Sequence, residues 1–114
     1  MTEKSVFEKI LFKEIPSKII YETKQVFAIN DINPVAPVHI LVIPKKKIPT
    51  LNDLSQEDMP LIGEIVFTAK KLACDHKIHE SGYRLIWNTN SHGQQTVFHI
   101  HLHLIGGKQL SWSF

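Results

Sequence analysis

The stretch His99-Ile100-His101-Leu102-His103 constrains this chain more than any other. Alternate residues of a β-strand point to the same face. The three imidazoles therefore share one face, and Phe98, Ile100, Leu102 and Leu104 share the other. The apolar face is the one to bury against a core, so the segment is expected to fold as a half-buried strand. Ordinary packing does not ask for three adjacent titratable rings. The histidine face is thus the first candidate for chemistry.

The rest of the chain supplies partners for such a strand. Ser5-Val6-Phe7-Glu8 reads as a capping box opening a short helix that Pro16 ends. Ile19 to Glu22 and Val26 to Asn30 read as short strands joined tightly at Thr23-Lys24-Gln25. Asp31-Ile32-Asn33-Pro34 is a turn-forming run. Val38 to Ile43 is nearly all apolar, as in a strand covered on both faces, and His39 interrupts it. Ser55 with Asp58 marks the start of a long helix, with Pro60 in its first turn. Its inner stripe is predicted to be Ile62, Ile65, Val66, Ala69, Leu72 and Ala73. Phe67 and Cys74 lie off that stripe and read as a second contact surface, such as a subunit interface. The alternative is one wide buried stripe. Tyr83 to Trp87 reads as a further strand, and the polar loop Asn88 to Thr96 leads into the histidines. The sum is an α+β domain: an antiparallel sheet of about five strands, one long helix and a short N-terminal helix.

Bulk properties exclude several functions. A chain of 114 residues is one domain with room for a core of its own. A net charge of +2 is too weak to imply nucleic acid or a membrane surface. Lys45-Lys46-Lys47 reads as a solvated loop. No apolar run reaches the roughly 20 residues that span a bilayer. The start, Met1-Thr2-Glu3-Lys4, lacks a signal-peptide pattern. With Cys74 as the sole cysteine, a reducing cytoplasm is the expected setting.

Three readings of the histidines compete. A metal site suits imidazole, but i and i+4 of a strand lie roughly 13 Å apart, and no carboxylate or cysteine cluster completes it. A structural role fits one histidine better than three in register. Nucleophilic catalysis needs a ring held in one tautomer with a nitrogen free, and neighbouring imidazoles disfavour each other's protonation. The loop Asn88 to Thr96 offers backbone N–H groups to an anion, with Gly93 permitting close approach. This third reading, phosphorus chemistry, leads.

The segment from Gly93 to Gly107 resembles the signature of the histidine triad (HIT) family, His-φ-His-φ-His-φ-φ with φ apolar, at every position. Phe7-Glu8-Lys9-Ile10, Glu14-Ile15-Pro16, Asp31-Ile32-Asn33-Pro34, Ala36 to Lys46 and Gly106 to Trp112 resemble its Hint branch. The likeness covers nearly the whole chain. It implies a HIT-like fold over residues 1–114 as a single domain, a homodimer with the sheet extended across the interface, and no cofactor. It implies a purine nucleotide substrate with an AMP- or GMP-type product, and hydrolysis of nucleoside phosphoramidates such as adenosine 5′-phosphoramidate or AMP-lysine. It also implies roles. His101 is the nucleophile, forming a nucleotidyl-histidine. His99 fixes His101 through its backbone carbonyl, His39 extends that relay, and His103 contacts the phosphate and aids the leaving group. Asp31 binds ribose beside Ile32. Asn88, Gln94, Gln95 and Thr96 hold the phosphate, with His101 and His103. Phe7, Ile10, Ile15 and Leu41 line the base pocket.

Two departures matter. Gln94 stands where a second glycine is usual, so a positive φ there would strain the loop. Some relatives carry a Cys-x-x-Cys zinc site where this chain has Ser5 to Glu8, so no structural zinc is expected. The rival functions are a dinucleoside polyphosphate hydrolase, against which the Gly106 to Trp112 tail argues, and a nucleotide-binding scaffold.

Overall fold

The computed structural model describes residues 3–113. Met1, Thr2 and Phe114, which the single-domain reading of 1–114 includes, lie outside the described residues. The chain runs α1 (Val6–Leu11), β1 (Ile19–Glu22), β2 (Val26–Asn30), β3 (Val38–Pro44), α2 (Met59–Asp75), β4 (Tyr83–Trp87) and β5 (Leu102–Gly106). Short 3-10 turns at Leu51–Asp53 and Gln56–Asp58 precede α2, and another at Ser91–Gly93 precedes β5. The strands form one antiparallel sheet in the order β1-β2-β3-β5-β4.

The period-2 pattern divides the core between two faces. Val26, Ala28, Ile40, Val42, Leu102 and Leu104 pack with Ile65, Ala69, Leu72 and Ala73 of α2. Phe27, Ile29, Leu41 and Ile43 pack on the opposite face with Phe7 and Ile10 of α1. β2 and β3 are therefore covered on both sides, as the nearly all-apolar run of β3 predicts. α1 covers only part of its face. His39 and His103 point to that side, in the register Leu41↔His103 and His39↔Ile105.

The histidine segment is less regular than its alternation predicts. The strand begins only at Leu102, so His99 and His101 sit in an extended lead-in rather than in the ladder. Pairing ends at Val42↔Leu102. Continuing the register would set Ile100 against Pro44, which has no N–H to give. The Pro44 carbonyl instead accepts from the His99 ring, and the Ile100 N–H donates to the Ile48 carbonyl at 2.8 Å. Ile100 keeps its place in the α2-side core, but Phe98 is 49% exposed and does not.

The buried stripe of α2 is also displaced. It comprises Leu61, Ile65, Thr68, Ala69, Leu72 and Ala73, while Ile62 is half-buried and Val66 is exposed. The apolar arc is wider than the sheet can cover, and the sheet takes the Leu61–Thr68 edge. Phe67, 66% exposed, and Cys74 face outward with Met59 and Val66. The wide-stripe alternative thus fails. The lysine run is more ordered than a solvated loop. Lys45 pairs with Glu22, Lys46 with Asp58 and Lys47 with Glu8, tying the end of β3 to three other elements. No helix among the described residues is long and apolar enough to cross a membrane.

Candidate active site

The α1-side face carries a cavity of about 300 Å³ where β3 and β5 emerge from under α1. One end is apolar: Phe7, Ile10, Ile29, Leu41 and Val97, with Ile32 at the rim. The other end is polar, with Asp31, Asn88, Gln94, Thr96, His101 and His103. An apolar wall bearing the Phe7 ring and leading to acceptors and imidazoles is suited to a planar heterocycle joined to a polar, anionic group.

The hydrogen bonds settle which nitrogen of each ring carries a proton, because a carbonyl only accepts and a backbone N–H only donates. His101 Nδ1 lies 2.9 Å from the His99 carbonyl. It is therefore the protonated nitrogen, and Nε2 holds the lone pair. His99 Nε2 lies 2.7 Å from the Pro44 carbonyl, so its Nδ1 is an acceptor, 2.7 Å from Ser5 Oγ. His39 Nδ1 accepts from the Val35 N–H at 3.2 Å. Its Nε2–H then points at His103 Nδ1, 2.9 Å away, with Asp31 Oδ2 at 3.3 Å. That leaves His103 with its proton on Nε2, a buried atom with no partner among the described residues. A buried donor left unpaired costs about 1–3 kcal/mol, so an acceptor in the cavity is favoured there.

Burial also favours the neutral form of His99, His101 and His103. Desolvation is the main reason that His99 and His101 sit below the usual histidine range. His103 is pushed down to about 4 by burial and by the nearby His101 and His39. The unfolded chain thus binds protons below about pH 6.5 that the folded chain refuses. Stability is expected to be full above pH 6.5 and to fall between there and about 4, which thermal unfolding at pH 7 and pH 4.5 will measure. Because burial lowers the His101 pKa, any activity that needs its lone pair should hold through pH 6.5 and fall at more acid pH, toward a slope of tenfold per pH unit.

The loop before the histidines is held under strain. Gln94 is left-handed at φ 65°, ψ 30°, the positive φ expected to strain a non-glycine residue there. Asn90 has φ 59° and ψ −173°, a region almost confined to glycine. Gln95 holds the Asn90 end of this loop in place. Its Oε1 accepts from the Asn90 N–H at 2.9 Å, and its Nε2 donates to the Pro49 and Val97 carbonyls at 2.7 and 3.0 Å. Gln95 is therefore a buried clamp whose side chain turns away from the cavity, contrary to the expected phosphate contact. Gly93 has ordinary φ, and a Cβ there would meet the Asn88 backbone at a comfortable 3.8 Å. The chain's own backbone does not require that glycine.

Of the other expected site residues, Phe7, Ile10, Asp31, Ile32, Leu41, Asn88, Gln94, Thr96, His101 and His103 meet at the cavity. Ile15 does not, because the chain turns back after α1 and packs Ile15 against the outer side of the α1 cluster. His39 and His99 stand behind the lining. His39 reaches His103 rather than the His99–His101 pair, so it extends a different relay from the expected one. Asp31 is fixed by the Asn33 N–H on Oδ1 at 2.8 Å and by its own N–H to the His39 carbonyl at 2.9 Å. Val6, Ser17, Ile29, Asn30 and Val97 line the cavity unforeseen, and for all but Ser17 the one signal was closeness in sequence to expected site residues, as with Val6 beside Phe7 and Val97 beside Thr96.

Asp31, His39 and His103 bring three ligand-type atoms within 4.8 Å of one another, the one such cluster among the described residues. The 2.9 Å separation of the two imidazole nitrogens is that of a shared proton. Two nitrogens on one tetrahedral zinc would sit roughly 3.3 Å apart, given zinc–nitrogen bonds near 2.0 Å.

The profile of the HIT domain family matches residues 12–110. The chain is 51% identical over 110 residues to the purine nucleoside phosphoramidase of Escherichia coli (strain K12), covering 96% of this chain and 92% of that protein. It is 47% identical over 107 residues to an uncharacterized HIT-like protein of Buchnera aphidicola, covering 94% and 96%. Among solved structures, a HIT family hydrolase from Legionella pneumophila superposes with a TM-score of 0.93 at 49% identity, covering 96% and 97%. A histidine triad protein from Clostridium difficile gives a TM-score of 0.93 at 40% identity, covering all of both chains.

Proposed function

From the premise that this chain belongs to the HIT domain family, we propose that it hydrolyses the P–N bond of purine nucleoside 5′-phosphoramidates. The observation that carries this reading is the 2.9 Å bond from His101 Nδ1 to the His99 carbonyl, which leaves Nε2 unprotonated on a ring lining the cavity. The purine would lie between Phe7, Ile10 and Leu41, with its ribose hydroxyls on the Asp31 carboxylate. His101 Nε2 would attack the α-phosphorus. The Nε2–P bond forms, the P–N bond breaks, and the amine leaves with the electron pair and takes a proton from solvent. Water then attacks the phosphorus and gives up a proton to solvent as the P–O bond forms, the Nε2–P bond breaks and the lone pair returns to His101.

His103, neutral because its pKa lies at about 4, would act by donating its Nε2–H to the phosphoryl oxygens. Asn88, Gln94 and Thr96 border the same end of the cavity. The reading is tested by incubating the protein with adenosine 5′-phosphoramidate and quenching in acid. AMP release with a protein species one adenylyl unit heavier supports it. AMP binding without turnover would favour a nucleotide-binding scaffold, and turnover confined to dinucleoside polyphosphates would favour that rival hydrolase.

The same reading includes a homodimer of the 1–114 domain working in a reducing cytoplasm. Two surfaces support the dimer: the outer β4 edge, which pairs with no strand among the described residues, and the exposed α2 face bearing Phe67 and Val66. Phe67→Glu is expected to shift the protein toward monomer in sedimentation velocity. A wild type that sediments as a monomer at micromolar concentration would remove the dimer from the proposal.

A further inference from the structure

Ser5 touches two parts of the fold that are distant in sequence. Its hydroxyl oxygen accepts from the Glu8 backbone N–H at 3.0 Å, while Glu8 Oε1 accepts from the Ser5 N–H at 3.0 Å. That pair is the capping box of α1. The same hydroxyl lies 2.7 Å from His99 Nδ1. Because the His99 Nε2–H is committed to the Pro44 carbonyl, Nδ1 presents a lone pair and the Ser5 hydroxyl donates to it. With Glu8 on one side and His99 on the other, the hydroxyl has one productive orientation.

His99 is fully buried. Its ring is held at both nitrogens, and its carbonyl is the group that sets the tautomer of His101. Phe7, two residues beyond Ser5, packs edge-on against both rings, with centroids 5.7 Å from His99 and 4.8 Å from His101. The start of α1 thus bears on the reacting ring by packing and by hydrogen bonding at once. Without the Ser5 hydroxyl, Nδ1 becomes a buried acceptor with no donor, and the ring gains a reason to turn or to change tautomer.

We infer that Ser5 is a positioning residue: its hydroxyl holds His99 as the Nε2–H tautomer, and through the His99 carbonyl it orients His101. The inference rests on the reading of His101 as nucleophile for its effect on turnover, but the linkage itself is visible in the ring nitrogens. Capping alone would not require a hydroxyl. An aspartate caps a helix as well as serine does, yet it has no proton for Nδ1.

Ser5→Asp therefore separates the two roles. It retains the cap while demanding a proton on His99 Nδ1. Ser5→Ala removes the donor without adding charge and serves as the second variant, and Ser5→Thr restores the hydroxyl. Nitrogen-15 ring signals of His99 and His101 in the ligand-free protein at pH 7 are read beside turnover of adenosine 5′-phosphoramidate. The wild type should show His99 protonated on Nε2 alone. Ser5→Asp should show both His99 nitrogens protonated and a displaced His101 Nδ1 signal. It should lose at least tenfold in kcat with KM within threefold, and Ser5→Thr should resemble the wild type. A wild type whose His99 proton is on Nδ1 overturns the inference. So do folded Ser5→Asp and Ser5→Ala variants with unchanged His101 signals. The expected ring signals without any wild-type turnover would count against the hydrolase reading and for the Ser5–His99–His101 linkage.

Discussion

His101→Ala is expected to lose at least about 10⁴-fold in kcat for adenosine 5′-phosphoramidate, and to form no nucleotidyl-protein. The size of the loss follows from the state of every other imidazole at the site. Both nitrogens of His99 are occupied, one by Pro44 and one by Ser5. His103 Nδ1 faces the His39 Nε2–H, and His103 Nε2 carries its own proton. His39 Nδ1 accepts from a backbone N–H behind the cavity. His101 Nε2 is thus the one imidazole lone pair at the cavity, and no neighbour replaces it. Phe7 loses its edge-on contact with the His101 ring, but the apolar cluster around it and the Asn33 N–H on Asp31 remain, so AMP affinity should stay within about tenfold of the wild type. Calorimetric titration with AMP beside single-turnover assays with mass detection separates the two effects. A His101→Ala protein that still turns over at a tenth of the wild-type rate would exclude a covalent mechanism through this residue.

The second large effect is expected at His103. His103→Ala removes a buried N–H donor aimed by its neighbours rather than by solvent, and removal of one such donor typically lowers kcat by about 10²–10³-fold. His39→Ala should cost less, because the His103 ring remains but its tautomer is no longer imposed by the His39 Nε2–H. The order of the two losses is the informative result. Steady-state kinetics on both variants checks it, and a His103→Ala kcat within threefold of wild type would remove His103 from the chemistry. Because His103 is neutral above about pH 4, its contribution should be constant from pH 6 to pH 8. The acid limb of the wild-type profile should then report His101.

Much of this site was open to inspection in the linear chain. β1, β2 and β4 begin and end where alternation and turn residues put them. The Ser5–Glu8 box caps α1 as its spacing requires. Both rest on interactions between residues a few positions apart, which local sequence encodes directly. The misplacements have the opposite character. The histidine strand shortens because Pro44, some 55 residues earlier, has no N–H to continue the ladder. The stripe on α2 shifts because the sheet covers one edge of an apolar arc wider than itself. Gln95 and Ile15 fell out of the pocket because the direction of a loop side chain is set by distant acceptors and by packing.

By itself, the sequence determined the α+β class, the existence and order of the elements, and the presence of several imidazoles on one side of a strand. Each of these follows from periodicity and local turn chemistry. The tertiary structure alone decided the proton on each ring. That choice depends on a carbonyl of Pro44, a hydroxyl of Ser5 and a backbone N–H of Val35. Long-range folding brings the first two to His99, and the turn before β3 brings the third to His39. A histidine's identity is written in the chain, but its lone pair is directed only by the donors and acceptors that the fold sets against it.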